Sequence, residues 1–266
     1  MKVIGIETSS IQGGVAVLEA SKDKWWSKEL SLTKGLVHGK LLIPTLDRLL
    51  KKVNWKKEEI DLIAVDIGPG SYTGLRVGLA MAKTMSYFLK TKIIGVASLD
   101  VLLYSVAVPV YRDTANYAWL YSAKAEQSKY NIQSGAGYDF ICPVIDARWN
   151  QIYAALYKKG RNGYERATDN MAINPDALIK ILKRYLNKSD TMNGLVFGDA
   201  LKSYRDVLGG LGGRVVFGTE DLWVPKASNV ALLGYQNFKL RKADNAISLL
   251  PLYLRPTEAE INLKKK

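Results

Sequence analysis

Histidine and cysteine are almost missing from this chain of 266 residues, which holds one of each, His38 and Cys142. A single cysteine excludes an intramolecular disulfide and any cysteine-rich zinc site. A single histidine excludes the H-x-x-x-H and H-E-x-x-H metal patterns and every catalytic scheme that needs a second imidazole. No metal site is therefore expected, and no G-x-S-x-G nucleophile elbow is present. Long apolar runs are also lacking. The longest, Val101 to Tyr111, falls well short of the ~20 residues of a membrane-spanning helix, so neither a span nor a membrane partner is expected. Met1-Lys2 runs straight into Val3-Ile4-Gly5-Ile6, which leaves no room for a signal peptide, and the expected compartment is the reducing cytoplasm. Cys142 reads either as a reactive thiol or as a small buried hydrophobe at the start of a strand. His38 reads as a lone base or ligand, or as a residue at a helix start.

Positive charge is what the chain has in excess. The net charge is +13, and both halves are basic. A polyanion such as RNA is one reading of this balance; solubility is the other, because no dense basic helix or RNA-binding motif stands out.

The apolar pattern changes period along the chain. Val3–Glu7 and Gly14–Ala20 read as a hairpin around a Ser/Thr/Gly turn, with a third strand near Trp25–Leu32. From about Gly39 to Val53 the spacing becomes helical, with Leu42, Leu46, Leu49, Leu50 and Val53 on one unusually wide apolar face and Pro44 early enough to be tolerated. Ile60–Ile67 reads as a buried strand, followed by a glycine-rich break, a helix over 75–89, a strand over 92–97, and a helix that Ser98 can cap. This order predicts one α/β lobe over residues 1–110. Residues 111–139 form an aromatic, aperiodic excursion, read either as a base-stacking platform or as a surface segment packed on its own domain. The second lobe, 111–266, opens with another hairpin (141–146 and 151–158) and adds a strand near 164–167, helices over 175–186 and 229–240, and a strand over 195–198. Two lobes that start alike suggest duplication.

Gly68-Pro69-Gly70-Ser71-Tyr72-Thr73-Gly74-Leu75-Arg76-Val77-Gly78-Leu79-Ala80 is the most conspicuous segment. A glycine-rich turn entering a helix offers backbone N–H groups to a phosphate or carboxylate; it is equally a tight turn whose Ser71 or Thr73 caps the helix. It is neither a P-loop nor G-x-G-x-x-G. Gly74, Gly78 and Ala82 recur every four residues, leaving a bare stripe that suits a subunit interface or close packing on the lobe's own sheet. Glu7, at the end of the first strand, could anchor a metal-bound nucleotide or bond the N–H groups of its own turn.

Together with Glu7-Thr8-Ser9, His38 followed by Leu41-Leu42-Ile43-Pro44, Gly95 to Asp100, Asp146-Ala147-Arg148 and Pro251 to Arg255, that segment resembles the TsaB/YeaZ family across nearly the whole chain. The family is the dimerisation subunit of the bacterial tRNA threonylcarbamoyladenosine machinery. The resemblance implies an α/β, two-lobed actin-like ATPase fold with mixed sheets. It also implies a non-catalytic scaffold that pairs with a TsaD-type catalytic subunit, joined by a TsaE-type accessory ATPase and meeting tRNA through the complex. Alone, the chain is expected to form a homodimer. No intrinsic cofactor is implied; ATP or ADP would belong to the interface of the complex. The implied partner face comprises Leu41, Pro44, Thr45, Arg48, Gly74, Gly78, Met81, Ala82 and Met85. A vestigial nucleotide site would comprise Glu7, Thr8, Ser9, Gly70, Ser71, Asp146 and Arg148. Arg148 replaces glycine where backbone would have to approach phosphate, and Glu7 replaces the family's usual Asp, so independent ATP hydrolysis is not expected. The competing reading is a degenerate actin-fold enzyme, a small-molecule kinase or an M22-type peptidase homologue. A self-sufficient RNA-binding module is a third.

Overall fold

A computed structural model of the chain describes residues 1–21, 24–32, 38–106, 137–160 and 163–255. Most of the 111–139 excursion lies outside the described residues, and so does the side chain of His38.

The first lobe contains β1 (Lys2–Glu7), β2 (Gly14–Ala20), β3 (Trp25–Ser31), α1 (His38–Lys52), β4 (Leu62–Gly68), α2 (Tyr72–Leu89), β5 (Lys92–Ala97) and α3 (Ser98–Leu103). β1 pairs antiparallel with β2, Lys2 opposite Glu19 and Glu7 opposite Gly14, and parallel with β4, Val3 opposite Leu62. The sheet order is β3-β2-β1-β4-β5. The near-continuous apolar run of β4 follows from its place between parallel neighbours, with α2 on one face and other helices on the opposite one.

The second lobe contains β6 (Phe140–Arg148), β7 (Gln151–Ala154), β8 (Tyr157–Gly160), β9 (Gly163–Arg166), β10 (Met171–Ile173), α4 (Pro175–Leu186), β11 (Gly194–Phe197), α5 (Leu201–Leu208) and β12 (Val215–Phe217). Its sheet order, β10-β7-β6-β11-β12, repeats the first lobe strand for strand: an antiparallel trio followed by two parallel additions, with β8 and β9 off the path. The two lobes are topological copies.

The last helix corrects the expected division. α6 (Ala227–Leu240) follows the second lobe in sequence but packs on the first, where Val230, Ala231, Leu232 and Leu233 close a core with Val3, Leu18, Leu62, Ala64 and Ile94. Glycines let it approach: a Cβ on Gly5 would lie 2.2 Å from Ala227 O, and one on Gly234 would lie 2.3 Å from Ala64 Cβ. A strap over 241–255 then runs back along the first lobe, bonding Asp244 N–H to Ile93 O and Leu252 N–H to Ile67 O.

Candidate functional site

In the first lobe the turn after β1 is closed by its own carboxylate. Glu7 is 1% exposed. Its Oε1 accepts from Ser9 N (2.6 Å), Ser9 Oγ (2.6 Å) and Ser10 N (3.0 Å), while Oε2 accepts from Ser10 Oγ (2.9 Å). Two amides of the turn, Ser9 N and Ser10 N, are thus taken by Glu7, and its carboxylate occupies the place where they would meet a phosphate. Behind it lies Asp66 of β4, fully buried, whose Oδ1 accepts from Gly68 N (2.8 Å) and Ser98 Oγ (2.6 Å) and whose Oδ2 is 3.1 Å from Ser9 Oγ. Burial raises the carboxyl of Glu7 against its hydrogen bonds, and burial followed by the charge of Glu7 pushes Asp66 up to about 7. The Ser9 hydroxyl carries one proton. When it donates to Glu7, the contact with Asp66 is made by a proton that Asp66 keeps.

The glycine-rich segment clamps this turn from outside. Ser71 N donates to Ser9 O at 2.7 Å, and Ser71 Oγ caps α2 by accepting from Gly74 N at 3.2 Å. A Cβ on Gly70 would lie 2.6 Å from Ser9 O, on Gly74 1.9 Å from Thr8 O, and on Gly78 2.1 Å from Thr8 Oγ1. Ala82 is fully buried in the lobe's own core. The stripe of small residues is therefore internal packing. Gly74, Gly78 and Ala82 face the β1–β2 turn and the core beneath α2, which corrects their place in the implied partner face. Ser98 is corrected too: Ala97 occupies the cap position of α3 with no side-chain hydrogen bond, and the Ser98 hydroxyl serves Asp66 instead.

In the second lobe the copied turn is closed in the same manner. Asp146 Oδ1 accepts from Arg148 N (2.7 Å), its Oδ2 from Ser203 Oγ (3.3 Å), and its own N–H donates to Asp199 Oδ1 (2.8 Å). Burial pushes Asp199 up to about 6, against the hydrogen bond from the Asp146 amide. Arg148, Trp149 and Asn150 have φ of +58°, +54° and +57°. This left-handed backbone suits glycine and asparagine, not a bulky Trp. Trp149 is 72% exposed.

Elsewhere in the implied partner face, Pro44 and Arg48 are exposed on α1, Leu41, Met81 and Met85 are half-buried, and Thr45 is buried. Sequence reasoning missed the residues that stand out most on the adjoining surface: Ile43 on α1, and Tyr87 and Phe88 at the end of α2, 75% and 76% exposed with their rings edge to face. The signal of Tyr87 and Phe88 was available, since they continue the helical spacing of Thr73, Ala80 and Thr84 on the outer face of α2, which also carries Arg76. Sequence reasoning also missed the strap as a connector. Arg76 Nε donates to Tyr253 Oη at 2.9 Å, its guanidinium lies 4.1 Å from the Tyr72 ring centroid, and Arg255 Nη1 donates to Ala147 O (2.7 Å) and Arg148 O (3.3 Å).

Two sheets of one order, each with a turn after its first strand, define a two-lobed protein of the actin-like ATPase fold. A family model described as "TsaD: tRNA N6-adenosine threonylcarbamoyltransferase" matches residues 36–128. The TsaB protein of Bacillus subtilis, described as a tRNA threonylcarbamoyladenosine biosynthesis protein, is 28% identical over 98% of this chain and 96% of its own length. A tRNA N6-adenosine threonylcarbamoyltransferase of Persephonella marina is 25% identical over 62% of this chain, which spans only 51% of that relative. The solved structure of YeaZ from Pseudomonas aeruginosa superposes with a TM-score of 0.68 at 19% identity, covering 95% of this chain and 99% of that one. The chain is thus similar to TsaB over nearly its whole length and shares the fold of YeaZ.

Proposed function

We propose that this chain is the non-catalytic subunit of the machinery that places threonylcarbamoyl on N6 of adenosine 37 in tRNAs reading codons that begin with A. It pairs with a TsaD-type catalytic subunit and supports its active conformation, works with a TsaE-type ATPase in the cytoplasm, and forms a homodimer when alone. The carrying observation is Glu7: its carboxylate takes the turn amides that a nucleotide-hydrolysing member of this fold needs. The Asp146 turn, closed in the same way, supports the same reading. ATP or ADP in this scheme belongs to the interface of the assembled complex.

The contact face in this proposal is the exposed surface of α1 and α2: Pro44 and Arg48, half-buried Leu41, Met81 and Met85, and the added Ile43, Tyr87 and Phe88. Exposed apolar side chains clustered on a helix face are what an association surface offers. The test is co-expression with the host's TsaD-type protein, tagged on one partner. Co-purification at micromolar concentration is the expected result, and absence of association overturns the proposal.

A further inference from the structure

The strap links α2 of the first lobe to the β6–β7 turn of the second. Tyr72 and Tyr253 stack 5.1 Å apart with Arg76 over them, its guanidinium 4.1 Å and 5.9 Å from their centroids. Two residues beyond Tyr253, Arg255 holds the carbonyls of Ala147 and Arg148 on the β6–β7 turn, and Trp149 stands at its tip. Tyr72, Arg76 and Tyr253 are thus exposed on one side, Arg148 and Trp149 on the other, and half-buried Arg255 joins the two groups.

We propose that Trp149, Arg148, Arg255, Tyr253, Arg76 and Tyr72 form a strip that binds a single-stranded segment of RNA. Three observations carry it. Trp149 is held at φ +54°, where a bulky side chain is disfavoured, and is 72% exposed, so neither conformation nor burial explains a tryptophan there. The arginine charges are not cancelled internally: among the described residues none of the three forms an ion pair, and Arg76 and Arg255 are steadied by neutral groups, a phenol with its rings and two carbonyls. The chain as a whole is positive by 13 charges. Aromatic faces receive unpaired bases and guanidinium groups receive the phosphates between them, whereas a duplex keeps its bases stacked on each other. The inference deepens the proposed function by giving this chain its own contact with the unpaired part of a tRNA.

The test is fluorescence anisotropy of the full chain with a labelled 17-nucleotide single-stranded RNA and with the same sequence as duplex, beside co-purification with the TsaD-type subunit. Trp149→Gly relieves the backbone and removes the ring. It is expected to weaken single-strand binding roughly tenfold, to leave duplex binding unchanged and to melt no lower than wild type. Trp149→Phe is expected to keep most of the affinity, and Arg148→Ala to reduce the slope of log affinity against log salt by about one. Unchanged single-strand affinity in Trp149→Gly overturns the strip, and so does an equal loss for duplex. Retained RNA binding with loss of the TsaD-type subunit makes it a protein contact and overturns it as well. Trp149-dependent RNA binding by a chain that never associates with a TsaD-type subunit supports the strip and removes the scaffold reading instead.

Discussion

One hydroxyl serves two buried carboxyl groups: Ser9 Oγ is 2.6 Å from Glu7 Oε1 and 3.1 Å from Asp66 Oδ2. With Asp66 raised from 3.8 to about 7, the folded chain holds this proton more tightly than the unfolded chain does. Its stabilising effect is then complete below pH 3.8, declines as pH rises, and is gone above about 7, a loss of order 4 kcal/mol. Asp66→Asn keeps an acceptor for Gly68 and Ser98 and a donor for Ser9. It is expected to raise the Tm at pH 8 and to leave it nearly unchanged at pH 4. Melting curves across that range check this, and an identical pH slope in wild type and variant contradicts it.

Gly78 is expected to report on folding before it reports on association. A single Cβ there meets Thr8 Oγ1 at 2.1 Å and Thr8 Cβ at 3.2 Å. Gly78→Ala should therefore cost about 1–3 kcal/mol of overpacking, partly offset by a helix-propensity gain of up to ~1 kcal/mol. Thr8 Oγ1 has no hydrogen-bond partner among the described residues, so Thr8→Ala removes the obstacle without breaking a bond. Urea titrations of the double variant should recover most of the loss; additive effects of the two changes would show that the contact is not the cause.

Phe88→Glu on the outer face of α2 is expected to change stability by less than about 0.5 kcal/mol, because the ring is already 76% exposed. Association with the TsaD-type subunit should fall at least tenfold in a titrated pull-down, since a charge is placed within an apolar contact. Wild-type affinity in this variant would remove the end of α2 from the face.

Cys142 is fully buried in β6, and burial pushes its thiol up to about 12. Reactivity follows the thiolate, so the native protein should resist a thiol-specific chromogenic reagent at pH 8 and react only after denaturant is added. Rapid labelling of the native chain would contradict the buried reading, the one of the two sequence readings that the structure supports.

Where an element is long and strongly patterned, the sequence already determined it. α4 begins at Pro175 and ends at Leu186 as its spacing predicts, with Asn174 supplying the cap, and β5 spans the expected 92–97. β10 and β12 are three residues each, too short to show a period, and went unseen along with α5. The stripe at Gly74, Gly78 and Ala82 announced a close approach but not with what, because the counterpart of its two glycines is Thr8, far earlier in the chain. Asp66 and Ser98 were invisible for a similar reason: a lone acid in an apolar strand and a serine at a helix start become partners only when β4 and β5 lie side by side. Trp149 carries no mark in one dimension, since its meaning lies in a φ value.

The return of α6 to the first sheet sets an order of assembly during synthesis. The strands of that sheet are complete once Ala97 has been made, yet the face formed by Val3, Leu18, Leu62, Ala64 and Ile94 waits for Val230 to Leu233. At about 5–20 residues per second the ribosome takes on the order of ten seconds to make the intervening chain. Throughout that interval the nascent protein carries an uncovered apolar sheet face, while the second lobe, whose strands lie wholly within the insertion, can close beneath it. A chaperone that engages early emerging hydrophobic surface has its natural client here, and a message truncated before codon 227 yields a product that cannot bury that face.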